Sequence, residues 1–330
     1  MLHLRTLLSG LVAVAAGGFA LSGCGGSSLP NGATSAQQLP SFRLPVKSEA
    51  ASAPALYVSD WYGKSVFRFA RNGDGTLVAP PGSSLVLPYN PGPIAIGAGG
   101  SLFVTDEDAE SLFVYRKGVS GYDQPTRELT LPFVPSCVAV DRAGHEFVGG
   151  LTNGYVAVYA PGAKGNAQTL QRIALPDRHP DVNGVAIDGA GDLYVSDSNE
   201  VSEFSTPVTN PTLKRAIVGT GQQHSPTGLA PSPVSHELYV ANAGANDILA
   251  YSPHANGKSR PDRTIRSQNP SLVAPAGVAL EGSVLYSTSG TTIDGTPSVF
   301  VLDALKGKQT PAQVVTGSYL ALPIGVALGP

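Results

Sequence analysis

The stretch that decides the fold is NGVAIDGAGDLYVSD, which runs from Asn183 to Asp197. It contains two short apolar runs, 184–187 and 193–195, on either side of the turn residues Asp-Gly-Ala-Gly. Alternation with a period of two residues is the signature of a half-buried strand, and Asp and Gly are ordinary turn residues. The stretch therefore predicts two short strands joined by a tight turn.

The second of these strands recurs along the chain. Its six versions are Leu56-Tyr57-Val58, Leu102-Phe103-Val104, Glu146-Phe147-Val148, Leu193-Tyr194-Val195, Leu238-Tyr239-Val240 and Leu285-Tyr286-Ser287. Their aromatic residues are separated by 46, 44, 47, 45 and 47 positions. A further alternating strand follows each version, and a less regular fourth strand follows some, as at 172–175 and 263–266. A period of roughly 40–50 residues built from short strands is typical of a radial array of sheets.

The first strand of the pair occurs five times ahead of an aromatic motif, and its sixth copy lies at the C-terminus. That copy, Pro323-Ile324-Gly325-Val326-Ala327-Leu328, stops where its partner should begin. The missing partner is the motif at residues 55–58, so we expect the two chain ends to pair and remove an open sheet edge. The sequence thus predicts an all-β, six-bladed β-propeller over residues 54–330, with the C-terminal strand closing the first blade.

The complete pattern resembles the NHL repeat. Each unit approximates Pro-x-Gly-Val-Ala-x-Asp-x-x-Gly-x-Leu-Tyr-Val-Ser-Asp followed by Val-x-x-Phe, and residues 182–204 match it best. The resemblance implies a propeller that serves mostly as a binding platform. Two repeats depart from it, because Gly149-Gly150 and Thr288-Ser289 stand where Ser-Asp is expected.

Composition limits the kinds of partner. The formal net charge is −3 and only 14% of residues are charged, whereas binding to phosphate backbones needs a basic face. We therefore expect no nucleic-acid partner. The hydrophobic fraction of 42% predicts a folded chain. The two cysteines, Cys24 and Cys137, are too few for a disulfide framework or a cysteine-based metal site.

The N-terminal sequence predicts that the protein is located outside the cytoplasmic membrane. Residues 1–23 combine one arginine with a short apolar run, as in a secretory signal. Leu21-Ser22-Gly23-Cys24 resembles a bacterial lipobox, which implies cleavage before Cys24 and its modification with diacylglycerol and an acyl group. Gly25 favours the outer membrane of a two-membrane bacterium. Residues 24–53 then form a lipidated cysteine and a flexible tether. The alternative is a secreted protein in which Cys24 stays free.

Candidate ligand-binding residues lie in the loops between the second and third strands of each blade. In a propeller these loops emerge on one face, and we predict a ligand rim there from Asp60, Trp61, Asp106, Asp197 and Asn242. An unknown protein or a carbohydrate is the expected ligand, and a cationic one would also suit the acids. The alternative is that the aspartates and the asparagine cap their own turns.

The only polar constellation consists of His179, Asp181, Asn183 and His224, which are candidate zinc ligands or solvated loop residues. A metal-dependent lactonase is the alternative function. Gluconolactonase-type propellers hold their metal with one Glu, two Asn and one Asp, and only Asn183 matches that set. A quinone-dependent dehydrogenase is a further alternative, but the rim lacks arginines. No cofactor is expected, and the sequence favours a non-enzymatic binding or scaffold protein of the cell envelope.

Overall fold

The computed structural model describes residues 55–330 apart from 177–180, 206–207, 209, 219–224, 269 and 291–295. In this part of the chain it forms 25 strands and one turn of 3-10 helix at Ala243–Ala245. The strands are β1 (Ala55–Asp60), β2 (Ser65–Ala70), β3 (Ser83–Val86), β4 (Pro91–Ile96), β5 (Leu102–Asp106), β6 (Ser111–Tyr115), β7 (Arg127–Thr130), β8 (Pro135–Val140), β9 (Glu146–Gly150), β10 (Tyr155–Tyr159), β11 (Gln171–Ala174), β12 (Gly184–Ile187), β13 (Leu193–Ser196), β14 (Glu200–Ser205), β15 (Thr212–Val218), β16 (Pro226–Pro231), β17 (Leu238–Asn242), β18 (Asp247–Tyr251), β19 (Arg263–Ser267), β20 (Pro275–Glu281), β21 (Val284–Ser289), β22 (Ser298–Asp303), β23 (Lys308–Gln309), β24 (Gln313–Val315) and β25 (Pro323–Gly329).

These strands form six sheets, so the prediction of a six-bladed β-propeller is confirmed. From the innermost strand outward, the sheets are β25-β1-β2-β3 (blade 1), β4-β5-β6-β7 (blade 2), β8-β9-β10-β11 (blade 3), β12-β13-β14-β15 (blade 4), β16-β17-β18-β19 (blade 5) and β20-β21-β22-β24 (blade 6). Each blade is an antiparallel meander. The short strand β23 adds to the outer edge of blade 5 in parallel.

The two ends of the folded chain pair within blade 1, as the sequence predicts. Strand β25 lies antiparallel to β1, and Val326 is the register partner of Val58. The Gly325 amide donates a hydrogen bond of 3.0 Å to the Ser59 hydroxyl, and the Tyr57 hydroxyl donates one of 3.2 Å to the Pro330 carbonyl. The innermost strand of the first blade is therefore supplied by the last residues, and the ring is closed.

The core lies between neighbouring blades. Along β1, Leu56 and Val58 pack with blade 6 residues, whereas Tyr57 packs with blade 2 residues. Both faces of the strand are therefore buried, although its side chains alternate with a period of two. Fully burying one such large side chain contributes about 1.5–3 kcal/mol, so this packing is the main force that joins the blades.

Glycine in the innermost strands permits their close approach. A Cβ atom at Gly184 would lie 2.1 Å from the Thr227 carbonyl oxygen of the next blade, and one at Gly277 would lie 2.7 Å from the Ile324 carbonyl oxygen. No side chain fits at either position without a backbone shift. The repeated Gly-Val-Ala signature thus follows from the crowding of strands around the axis.

The outer edges of the blades are also joined. Parallel bridges link the fourth strand of one blade to a loop of the next at Leu85–Gly121, Leu129–Gly165 and Ile217–Gly257. Between blades 6 and 1 a side chain makes the link. The Gln313 side chain accepts a hydrogen bond from the Leu77 amide (2.6 Å) and donates one to the Leu77 carbonyl (2.9 Å). Each such junction between neighbouring blades is called a seam below.

Candidate functional site

The predicted rim is a set of tight turns between the second and third strands of the blades. In blades 1 and 2 the connection to the next blade lies beside this turn, because the Leu87 amide bonds the Lys64 carbonyl (2.8 Å) and the Leu131 amide bonds the Glu110 carbonyl (2.7 Å). Lys64, Glu110 and Asn246 end three of the turns with φ of 47°, 49° and 58°. In the first two of these turns the aspartate at the start, Asp60 or Asp106, accepts hydrogen bonds from amides of the turn.

Asp60 is fully buried and holds the ring closure. Its carboxylate accepts hydrogen bonds from the amides of Gly63 (2.7 Å), Ala321 (2.7 Å) and Leu322 (2.9 Å). Burial raises the pKa of Asp60, and these three amides act in the opposite direction. The residue therefore joins its own turn to the segment that leads into β25.

Asp106, Asp197 and Asn242 are buried in the same way. Asp106 accepts bonds from the amides of Asp108 and Ala109, and Asp197 from those of Asn199 and Glu200. The Asn242 side chain donates a bond of 2.7 Å to Asp247. The contacts of Asp106 and Asp197 are those of turn-capping groups, the alternative that the sequence left open, whereas the Asn242 side chain makes no capping bond to the helical turn that follows it. A ligand that reached these carboxylates would have to displace the loop's own amides.

The groups that the rim exposes are neighbours of the predicted residues. Trp61 is half-buried, and Tyr62 is 57% exposed at the tip of the same turn. In the equivalent turn of blade 2, Asp108 and Glu110 are exposed. Tyr62, Asp108 and Glu110 are not among the residues predicted from the sequence, although their places at the centre and end of the blade 1 and blade 2 turns could have indicated their exposure.

The central channel is narrow. Its cavity volume is about 80 Å³, room for only a few water molecules, and its walls are the innermost strands of all six blades. Asn183 lines it among mainly apolar and glycine residues.

Among the described residues no three His, Cys, Asp or Glu side chains lie close enough together to hold a metal ion. Asp181 is buried, and His179 and His224 lie outside the described residues.

Cys137 lies in the innermost strand of blade 3 and is buried against Val182. Burial raises the pKa of its thiol to about 12. The thiolate is the reactive form of cysteine, so this residue is a small apolar group of the core and not a nucleophile. Cys24 and the whole of residues 1–53 lie outside the described residues. In the part of the chain that is described, no helix is long and apolar enough to span a bilayer.

Comparison with known proteins supports the fold. No protein-family model and no curated protein matches the chain. A crystal structure of a nidogen/laminin complex superposes with a TM-score of 0.67 at 17% identity over 84% of this chain and 99% of that one. A protein of unknown function from Bacteroides caccae gives 0.61 at 12% identity over 84% and 99%, and one from Desulfotomaculum acetoxidans gives 0.51 at 16% over 81% of each. At these identities the likeness is one of fold, and the chain is similar to these proteins as a β-propeller.

Proposed function

We propose that this protein is a lipid-anchored, NHL-like propeller of the bacterial cell envelope that binds a protein or a carbohydrate on its rim. The observation that carries the proposal is the contrast between rim and channel. The rim exposes Tyr62 beside Trp61, whereas the channel cavity has a volume of about 80 Å³ and is lined by mainly apolar and glycine residues. Amphipathic aromatic side chains are the usual anchors of such contacts.

Acidic groups define the chemistry of the proposed partner. Glu107 is half-buried, and Asp108 and Glu110 are exposed in the blade 2 turn. Together with the aromatic pair in blade 1, they suit a partner that offers hydroxyl or amine donors around an apolar patch. The contacts of the described residues give no comparable support to the lactonase alternative.

The anchor is proposed from the lipobox-like segment that ends at Cys24. Intact-mass measurement of the mature protein tests it. We expect an N-terminal Cys24 that carries a diacylglycerol and an acyl chain, and two or more chains are enough for stable membrane attachment. A mature N-terminus elsewhere, or an unmodified Cys24, would contradict the anchor and leave the rim proposal standing.

The rim proposal is tested with the double variant Trp61→Ala/Tyr62→Ala. Val234 is 80% exposed in the turn after the innermost strand of blade 5, at the opposite end of the strands, so Val234→Ala is the matched control. Binding of the purified variants to peptidoglycan fragments is measured. The partner in intact cells is captured by crosslinking to each variant. We expect the double variant to lose its partner and the control to keep it. Equal capture by both variants would remove the rim as the binding face.

A further inference from the structure

A second cavity lies on the flank of the ring, in the seam between blades 1 and 2. Its volume is about 460 Å³, which falls within the range of small-molecule sites. Strand β3 and the residues that follow it form one wall, and β6, β7 and the loop between them form the other. This groove 1/2 lies far out along the blades, between their outer strands, and shares no lining residue with the channel.

Aromatic rings line groove 1/2. Tyr89 stacks on Phe113 with ring centroids 4.8 Å apart, and its hydroxyl lies 2.8 Å from that of Tyr115. Tyr122 stands at the mouth and is 80% exposed. An exposed tyrosine of this kind has no packing role within the fold. Tyr115 is fully buried, so Tyr89, Phe113 and Tyr122 are the rings that can present electron-rich surface to the cavity.

The charge of groove 1/2 is negative. Asp123 and Glu128 line it, and no lysine, arginine or histidine does. Asp123 is paired with Arg116 at 2.9 Å, whereas Glu128 accepts a bond from the Ser111 hydroxyl (3.0 Å) and, within the described residues, belongs to no ion pair. Burial raises the pKa of Tyr89, the neighbouring Tyr115 hydroxyl raises it further, and the charges of Asp106 and Glu128 make the smallest contributions.

The next seam offers an internal comparison. Groove 2/3, between blades 2 and 3, has a volume of about 240 Å³ and is lined by residues 44 positions further along the chain. There Asn166 replaces Tyr122, Ala167 replaces Asp123 and Arg172 replaces Glu128. The Arg172 guanidinium lies 5.0 Å from the centre of the Tyr155 ring. The same framework therefore holds a small basic groove at one seam and a larger, aromatic, acidic groove at the other.

We propose that groove 1/2 binds an organic cation whose charge is carried by an alkylated ammonium group. Ring faces and a carboxylate together attract such a group, because its methyl groups pack on the rings while its charge interacts with both. A neutral sugar could pack on the rings and donate a hydroxyl to Glu128, but it would lack the charge–charge attraction that a cation gains there. Arg172 would repel the same cation from groove 2/3.

Titration calorimetry with choline chloride tests this proposal. The purified mature protein is kept in dodecyl maltoside, which contains no ammonium group. The matched ligand is 3,3-dimethyl-1-butanol, which has the shape of choline without its charge. We expect one equivalent of choline to bind and the neutral analogue to bind at least tenfold more weakly, about the ratio that one such charge contact provides. Equal affinities, no binding of choline, or binding of N-acetylglucosamine in its place would overturn the proposal.

Variants locate the site. Glu128→Gln keeps the shape of the side chain and should weaken choline about tenfold, and Tyr122→Ala should weaken it about threefold to tenfold. The controls are Asn166→Ala and Arg172→Gln at the equivalent positions of groove 2/3, which should leave the affinity within about twofold. Because all four side chains are partly or fully exposed, each variant is expected to fold. Choline affinity that is unchanged by both Glu128→Gln and Tyr122→Ala would exclude groove 1/2 as its site.

The alkylated ammonium group is found in free solutes and in lipid headgroups, and a further ligand distinguishes these sources. Glycerophosphocholine carries the cation of choline together with a phosphate. Tighter binding of glycerophosphocholine than of choline supports a headgroup as the natural ligand. Weaker binding supports a free solute, because Glu128 and Asp123 repel the phosphate. Failure of the rim variants to lose their partner would not affect either result, since groove 1/2 and the rim share no tested residue.

Discussion

The seams between blades 1 and 2 and between blades 2 and 3 have the same strand register but are held together differently. In the second seam, Arg127 of blade 2 pairs with Glu146 of blade 3 at 2.6 Å and also bonds the Ala163 carbonyl. The equivalent positions of the first seam are Ser83 and Leu102. One seam is closed by a buried ion pair, and the other leaves an aromatic cavity nearly twice as large.

A repeat fold supplies many equivalent positions. Among the described residues, hydrophobic side chains pack between blades 1 and 2, and the positions of Arg127 and Glu146 are taken there by Ser83 and Leu102. Where the Arg127–Glu146 pair has no counterpart, the side chains around the seam remain available to contact a ligand. We infer that the first seam is specialised in this way.

The largest expected effect is on stability, at Arg127. Glu146 is fully buried, so Arg127→Ala leaves an uncompensated charge in the second seam. We expect the free energy of unfolding to fall by about 3–5 kcal/mol, measured by urea unfolding followed by circular dichroism. The control Ser83→Ala removes the equivalent side chain of the first seam and should change it by less than about 0.5 kcal/mol. If both variants lost the same free energy of unfolding, the two seams would not differ in how they are stabilised.

A smaller effect is expected from reversing the charge of each groove. Glu128→Arg gives groove 1/2 the residue of its neighbour and should weaken choline binding on the order of 100-fold, because an attraction becomes a repulsion. Arg172→Glu makes the opposite change in groove 2/3 and should leave the first site intact. Calorimetry measures both. If Arg172→Glu strengthened choline binding as much as Glu128→Arg weakened it, the charge of the whole flank, and not the groove, would control binding.

The smallest effect concerns pH. Burial raises the pKa of the Glu146 carboxyl above its ordinary value of 4.5, while the hydrogen bond and charge of Arg127 oppose this. Arg127→Ala therefore raises that pKa further. A folded-state carboxyl with a raised pKa holds its proton more tightly than the unfolded chain does, so its contribution to stability grows as the pH falls through the folded-state pKa towards 4.5.

The difference in the free energy of unfolding between the wild type and Arg127→Ala should consequently shrink by about 1 kcal/mol as the pH falls from about 7 to about 5. Urea unfolding of both proteins at the two pH values measures this, with Ser83→Ala as a pH-independent control. A deficit that stays constant would mean that Glu146 is not the charge that Arg127 compensates.

The fold could be predicted from the sequence because its signals are local and repeated. Alternation in strands such as 193–196 and the turn residues beside them appear in every blade, and the C-terminal copy of the innermost strand indicates the closure that Val58 and Val326 make. The links between the outer edges of neighbouring blades were not predicted. Strand β23 has only two residues, and Gln313 replaces a backbone bridge with its side chain, so neither follows an alternating pattern.

The sites were harder to predict because a residue type does not specify its neighbours. The fixed place of Asp60 and Asp106 in the repeat fits both a ligand rim and a turn cap, and only the positions of the surrounding amides distinguish the two. Groove 1/2 depends on residues from two blades that meet only in the folded chain. Its visible signal in the sequence is the change from Tyr122, Asp123 and Glu128 to Asn166, Ala167 and Arg172 between repeats that otherwise align.

One crystal structure would test the difference between the seams most directly. Crystals grown with arsenocholine, measured at the arsenic absorption edge, locate the cation without reference to the protein atoms. The account predicts one anomalous peak in groove 1/2, between the rings of Tyr89 and Tyr122 and close to the carboxylate of Glu128, and none in groove 2/3. A peak in groove 2/3 or in the central channel, or no peak in groove 1/2, would contradict it.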